Sequence, residues 1–504
     1  MRKNSVIINT LSLLLSTLFL NSTVFAGDIE WSGLYRIEGY QIRNSELRGS
    51  DQDGTPAHPG KKELAYGLSH LVLRPKINAG DGLTIYGQFD VFNQAKSPNN
   101  QMGQIWGNGV ANTNSAESNT VSSTQSAEAI SVSQLYLTLS QEFGQFIAGR
   151  VPLHFGLGMT HNAGRGLFDH FYDTRDLVGY KLIVGNLTFL PMIGKPSGGT
   201  INHSDNLDDY MIQVQYENPE TDIEMGVFYQ WRKGGPQSAD APVGVGSAPG
   251  QVLGGPGATN ANTTPCTMPN GCSSAVNTKT VNVYVLKDTE RFRLGMEASF
   301  MSGDSGVMYP TTGGGDKVTW GGFGIAAEFE YRPEASKWKW GLKAGSASGD
   351  DPNTPAKFEG YTFNRNYDIA MLMFNHPLGQ ADILRTGMVT GSVYDPGTSN
   401  INQADVEAIS NAIYAAPVGK YAFSERWSLD NSLITGWLST NPMPNQVSKS
   451  LGYEWDTSLN FTPRKGISWI TQMGLLFPGA AWKGDGRYEN GFAYGFETKA
   501  AISF

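Results

Sequence analysis

Apolar and polar residues alternate along this chain in segment after segment. In "DIEWSGLYRIEGY", Ile29, Trp31, Gly33, Tyr35 and Ile37 fall on one side, with Glu30, Ser32, Leu34, Arg36 and Glu38 on the other. "LTIYGQFDVFN" sets Leu83, Ile85, Phe89 and Val91 against Thr84, Tyr86, Gln88 and Asp90. "DIEMGVFYQWRKG" sets Ile223, Met225, Val227, Tyr229 and Trp231 against Glu224, Gly226, Phe228, Gln230 and Arg232. In "GYEWDTSLNF", Tyr453, Trp455, Leu459 and Phe461 oppose Glu454, Asp456, Ser458 and Asn460. A period of two with one apolar side predicts β-strands.

The links between strands are of two lengths. Short ones such as "NAGDG" (78–82), "QEFG" (141–144), "GN" (185–186), "NPET" (218–221) and "TPRKG" (462–466) alternate with long polar excursions, the largest at 94–129, 233–278 and 346–411. A soluble sandwich has no reason to sort its loops in this way. A transmembrane barrel does, with short periplasmic turns and long extracellular loops. Strand starts near 28, 66, 83, 130, 144, 177, 187, 208, 222, 280, 292, 319, 337, 412, 427, 451, 467 and 492 give about eighteen strands, an even number as bacterial barrels have. The stretch "YDIAMLMFNHP" (367–377) is apolar enough to be a further strand, but no short turn flanks it, so it is placed within the long excursion.

The closing strand, "GFAYGFETKAAISF", puts Phe492, Tyr494, Phe496, Ile502 and Phe504 on one face. In lipid every backbone polar group must be paired, so a chain that spans with strands has to close its sheet, here last strand to first. Many outer-membrane barrels end on an aromatic residue in such a strand. This resemblance implies that Phe504 is an assembly signal read by the barrel-assembly machinery. Trp31, Tyr35, Trp231, Trp338, Trp340, Trp427, Trp437, Trp455, Trp469 and Tyr494 occupy outward positions, most near strand ends, as an aromatic girdle would.

Composition narrows the setting. Arg2 and Lys3, the apolar run Ile7–Leu20 and Val24-Phe25-Ala26 read as a secretory signal peptide, residues 1–26. The run falls short of the ~18 residues that span a bilayer. Residues 27–504 then form a single barrel domain in the outer membrane of a Gram-negative bacterium, with the bilayer and lipopolysaccharide as surroundings. Without Arg2 and Lys3 the formal charge moves from −9 to −11, which argues against a nucleic-acid partner. Cys266 and Cys272 flank the turn residues Pro269-Asn270-Gly271, and an exported chain with two cysteines suggests a disulfide loop staple.

If the apolar faces meet lipid, the others line a lumen. Its basic candidates are Arg36, Arg74, Arg150 and Lys181, with His70, Lys76 and His154 nearby, and its acidic candidates are Asp90, Glu328, Glu330, Asp430, Glu454 and Asp456. Wall charge and constriction decide what passes such a pore. Eighteen strands enclose an aqueous channel that wall side chains alone do not fill, so a long loop is expected to fold inward, 94–129 or 155–176.

The stretch 322–368, "GFGIAAEFEYRPEASKWKWGLKAGSASGDDPNTPAKFEGYTFNRNYD", resembles the alginate-export family of outer-membrane barrels in its strand–turn–strand followed by "ASGDDP" and a later "NRNYD". The resemblance implies a channel for an anionic sugar polymer or related solute with an arginine- and lysine-lined constriction, for which Arg36, Arg74, Arg150 and Lys181 are the candidates here.

Other chemistry finds little support. "GDSG" at 303–306 lacks a supporting His and Asp. His154, His161 and His170 share no single helix or strand face. "DQDGT" at 51–55 begins like a calcium loop but lacks its closing Glu. The expectation is therefore an all-β transmembrane antiparallel barrel with no enzyme activity, cofactor or metal. It passes small hydrophilic or anionic sugar solutes, serves as a polysaccharide-export conduit, or displays its loops over an occluded pore. The sequence leaves its oligomeric state open.

Overall fold

The computed structural model describes residues 28–49, 63–91, 130–195, 207–234, 272–311, 314–351, 353–354, 356–381, 383–384, 408–443 and 445–504. The expected signal peptide, the 94–129 loop, "DQDGT" and the expected Cys266–Cys272 pairing fall outside the described residues.

The described strands are β1 (Ile29–Arg43), β2 (Glu63–Gly80), β3 (Leu83–Val91), β4 (Ile130–Gln141), β5 (Gly144–Pro152), β6 (Thr174–Val184) and β7 (Leu187–Lys195). Next come β8 (Leu207–Asn218), β9 (Ile223–Gly234), β10 (Cys272–Asp288), β11 (Phe292–Thr311), β12 (Gly314–Trp320) and β13 (Phe323–Tyr331). The chain continues with β14 (Trp338–Ala347), β15 (Lys357–Phe358), β16 (Ala412–Ala422), β17 (Trp427–Leu438), β18 (Ser450–Arg464), β19 (Ile467–Pro478) and β20 (Ala493–Ser503). Each wall strand pairs antiparallel with its neighbours, and β20 pairs with β1 from Leu34↔Ser503 to Arg43↔Tyr494. That pairing closes the sheet into a barrel of eighteen wall strands. The remaining two of the twenty lie above the wall. β12 pairs with the upper part of β11 and runs into β13 through Gly321-Gly322, and β15 is a two-residue strand parallel to β12.

Two strands start earlier than the alternation predicts. β10 begins at 272 rather than 280, and β12 precedes β13 from 314. Both extensions pair with the long β11. Beyond the lipid a strand needs no apolar face, so the backbone ladder continues where the alternation fades.

The outer surface is apolar. Val227, Val283, Met296, Leu342 and Leu433 are each 38–48% exposed, while their chain neighbours turn inward. Trp338 stacks on Trp340 (5.3 Å) and Trp427 on Phe461 (4.2 Å) beside the short turns, and Tyr453 stacks on Phe477 (4.9 Å) toward the other end. Two aromatic zones bounding an apolar band mark a membrane-spanning barrel. No described helix is long and apolar enough to cross a membrane.

Candidate functional site

Two segments between strands turn into the lumen. The first, 153–173, leaves β5, packs Phe155 against Phe228 on β9 and Tyr284 on β10 (ring centroids 5.8 and 4.8 Å), and returns to β6. Glu297 on β11 holds its turn. Its carboxylate accepts the backbone N–H of Leu157 (2.7 Å), Met159 (3.2 Å) and Thr160 (3.0 Å) and the Thr160 hydroxyl (2.6 Å).

The far end of this segment docks on β1 and β3. Arg36 Nη1 donates to the carbonyls of Leu167 (3.2 Å) and Asp169 (2.6 Å), and its Nε lies 3.0 Å from Glu38, which also takes His170 at 3.0 Å and the Tyr40 hydroxyl. The Tyr172 hydroxyl donates to Asp90, which faces His70 at 2.8 Å. Arg36 is 1% exposed. The sequence-based expectation that it lines an open pore gives way to an anchoring role, because it is buried with Nη1 bonded to the segment's carbonyls and its guanidinium paired with Glu38.

The second inward segment is 359–381, and it contains the ambiguous 367–377 stretch. That stretch is not a strand. It is a compact turn in which Asp368 accepts the N–H of Ala370 (3.1 Å) and Asn375 donates to the carbonyls of Ala370 and Met371. Its apolar side chains, Ile369, Leu372, Met373 and Phe374, join the main buried cluster with inward Ala412, Tyr414, Ile434 and Leu476. The tip is latched to β18. Glu454 accepts the N–H of Leu372 and Met373, each at 2.6 Å, and Asp456 accepts that of Met371 at 2.8 Å. Gly474 on β19 and Gly495 on β20 leave the socket open, since a Cβ at either would meet Met371 at 3.1 Å or less.

The two segments also bind each other. Asn364 donates from its backbone to Met159 O (2.7 Å) and from its side chain to Asp173 (2.6 Å). Asn366 accepts the N–H of His170 (3.1 Å) and Phe171 (3.2 Å). Burial pushes the Asp173 carboxyl up to about 6 against these bonds and nearby Arg175. Burial beside Phe228 lowers His161 to about 3, which leaves the ring neutral. His154 is lowered by burial and by Arg165.

The charges named from the sequence sort into two groups. Every acidic candidate has a partner. Asp90 faces His70, Glu328 meets Arg293 (2.8 Å) and Lys343 (3.7 Å), Glu330 meets Arg332 (2.6 Å), Asp430 lies 3.9 Å from Lys420, and Glu454 and Asp456 hold backbone N–H groups. The cations differ. Arg74 bonds only the amide oxygen of Gln88 (2.9 Å), and neither it nor Lys181 has a carboxylate within salt-bridge distance among the described residues. Arg165, exposed on the first inward segment within electrostatic range of Tyr136 on β4, likewise lacks one. Arg165 lies in a loop where no alternation assigns a direction, so the sequence pattern does not single it out.

Arg150 departs from expectation. It pairs across β5 and β6 with Asp176, whose neighbour Leu177 is buried inside, so both side chains face outward, in a two-pronged contact of 2.7 and 2.9 Å. The alternation of β5 is weak, with Gly144, Gly149 and Pro152 among nine residues, so its inner face is not legible from sequence. Among the described residues no group of His, Cys, Asp and Glu could hold a metal ion.

No protein-family model matches the sequence, and neither does any curated protein. The chain is similar to OccK11 (OpdR) of Pseudomonas aeruginosa, with 10% identity and a TM-score of 0.47 over 96% of this chain and 99% of that one. It is similar to a BenF-like porin from Pseudomonas fluorescens Pf-5, with 10% identity and a TM-score of 0.47 over 95% and 98%. It is also similar to Pseudomonas aeruginosa OccK2 (OpdF), solved in complex with glucuronate, with 8% identity and a TM-score of 0.44 over 94% and 97%.

Proposed function

We propose that this barrel is an outer-membrane channel that passes small hydrophilic solutes and prefers anions, despite the acidity of the whole chain. The observation that carries this reading is the division of lumen charge. The six acidic candidates are occupied, whereas Arg74, Arg165 and Lys181 have no carboxylate within salt-bridge distance among the described residues. Arg74 on β2, Lys181 on β6 and Arg165 on the first inward segment flank the β3–β4 pair, where Tyr86 and Tyr136 stack at 4.9 Å. Glu217 and Glu224, level with each other on β8 and β9, also face inward, and Glu224 accepts from Gln215 (2.7 Å) and from the Tyr284 hydroxyl. In a narrow, low-dielectric passage, uncompensated cations draw anions in and raise their local concentration. No covalent step is involved.

The polymer export implied by the 322–368 resemblance would use the same cations, but a chain could thread only if both latched segments swung aside. The geometry therefore favours small solutes. Phe504 remains our candidate for the assembly signal, and Cys266 and Cys272 for a loop disulfide. Single-channel recording of refolded protein in a planar bilayer tests the reading. A steady open conductance supports it. No conductance, from protein shown to be folded by its heat-modifiable gel shift, would replace it with a surface-display role over an occluded lumen.

A further inference from the structure

The outward Arg150–Asp176 pair belongs to a longer feature. Asp176 is level with Lys195 across β6 and β7, Lys195 Nζ lies 2.9 Å from Asp208 on β8, and Asp208 is level with Lys233 on β9. Five neighbouring strands thus carry a row of alternating charge on the outer wall, near the ends opposite the short turns. One rung nearer the membrane, Val178, Ile193, Tyr210 and Trp231 form an apolar and aromatic row, with Lys233 Nζ 5.1 Å above the Trp231 ring. A concavity of about 590 Å³ opens outward here, with Val132, Leu135, Val178 and Ile193 in its lining below Arg150, Asp176, Lys195 and Asp208.

We propose that this face is a binding site for a phosphorylated glycolipid of the outer leaflet, with an acyl chain in the concavity and phosphates on Arg150, Lys195 and Lys233. The chemistry fits in three respects. The row sits just beyond the aromatic zone, at headgroup level. Outward Lys or Arg is costly at the bilayer midplane and nearly without penalty at the interface, so these cations are at home only at that level. Among the described residues the row holds three cations against two carboxylates, an excess suited to phosphate, while Asp176 and Asp208 extend the cations into a row and offer oxygen ligands to the divalent ions that bridge phosphates. The proposal rests on the outer-membrane placement and not on what the lumen conducts.

Native mass spectrometry of the detergent-solubilised, folded barrel tests it, with bisphosphorylated lipid A and Mg²⁺ as the probe and phosphatidylethanolamine as the comparison. Native protein is expected to retain lipid A in preference. The Arg150→Gln/Lys195→Gln/Lys233→Gln variant should lose on the order of a hundredfold of that retention, at about 1 kcal/mol for each cation near a charged membrane surface. The single Lys195→Gln variant, which leaves the Arg150–Asp176 pair in place, should show an intermediate loss and guards against misfolding of the triple variant. Equal retention of the zwitterionic lipid, unchanged retention by the variants, or a second copy of the chain covering this face would overturn the proposal. Conductance recorded on the same variants separates this outcome from failure of the channel reading, because none of the three side chains faces the lumen.

Discussion

Glu454 on β18 accepts the backbone N–H of Met373 at 2.6 Å, and with its other oxygen that of Leu372 at the same distance. One wall carboxylate thereby fixes the tip of a segment that fills the lumen. Removing it strands two buried donors, at a cost of about 1–3 kcal/mol for each unsatisfied group. Glu454→Ala is expected to loosen the 359–381 segment and raise single-channel conductance or its fluctuation, with the gel shift of the folded barrel retained. Unchanged, quiet currents would show that the latch does not hold the segment.

The Asp173 carboxyl, held up to about 6 by burial, makes docking of the two inward segments depend on pH. The sign follows from linkage. Its folded pKa lies above its ordinary value, so the docked state binds the proton more tightly and is favoured as pH falls through about 6. Conductance is expected to decline between pH 7 and pH 5, and Asp173→Asn is expected to flatten that part of the profile. An opposite slope, or one the variant leaves intact, would assign the dependence to other groups.

The barrel seam depends on close approach. Gly33 N–H donates to Phe504 O at 2.8 Å and Phe504 N–H returns the bond to Gly33 O at 3.1 Å. A Cβ at Gly33 would stand 2.4 Å from the Phe504 ring and 2.7 Å from the Val72 carbonyl oxygen. Gly33→Val is therefore expected to cost on the order of 1–3 kcal/mol, as overpacking does, and to lower the fraction that reaches the heat-modifiable folded form. Refolding yields equal to native would contradict the importance of this contact.

The wall was legible in the sequence because lipid enforces a strict period of two. The outward sets around Trp31, Val227, Trp455 and Phe496 and the inward set around Glu38, Gln88, Gln230 and Asp456 could be read residue by residue. The inward segments were legible only as a need for something to fill the lumen. The 155–176 region could be named as a candidate, but the role of 367–377 could not, since an apolar run that packs inside a barrel has the same composition as one that spans. What the inward charges do was the least legible. Arg36 and Glu454 look like pore-lining charges on strands. Only the loops that consume their hydrogen bonds make them anchors, and those contacts join residues 131 and 81 positions apart.

The most direct test of the anion-preferring channel is the reversal potential of single channels across a salt gradient, for native protein and for Arg74→Ala/Arg165→Ala. Native channels are expected to reverse on the anion side of zero, and the double variant should move toward zero or to the cation side, with conductance retained. A cation-selective native channel, or a variant whose reversal potential is unchanged, would contradict the account.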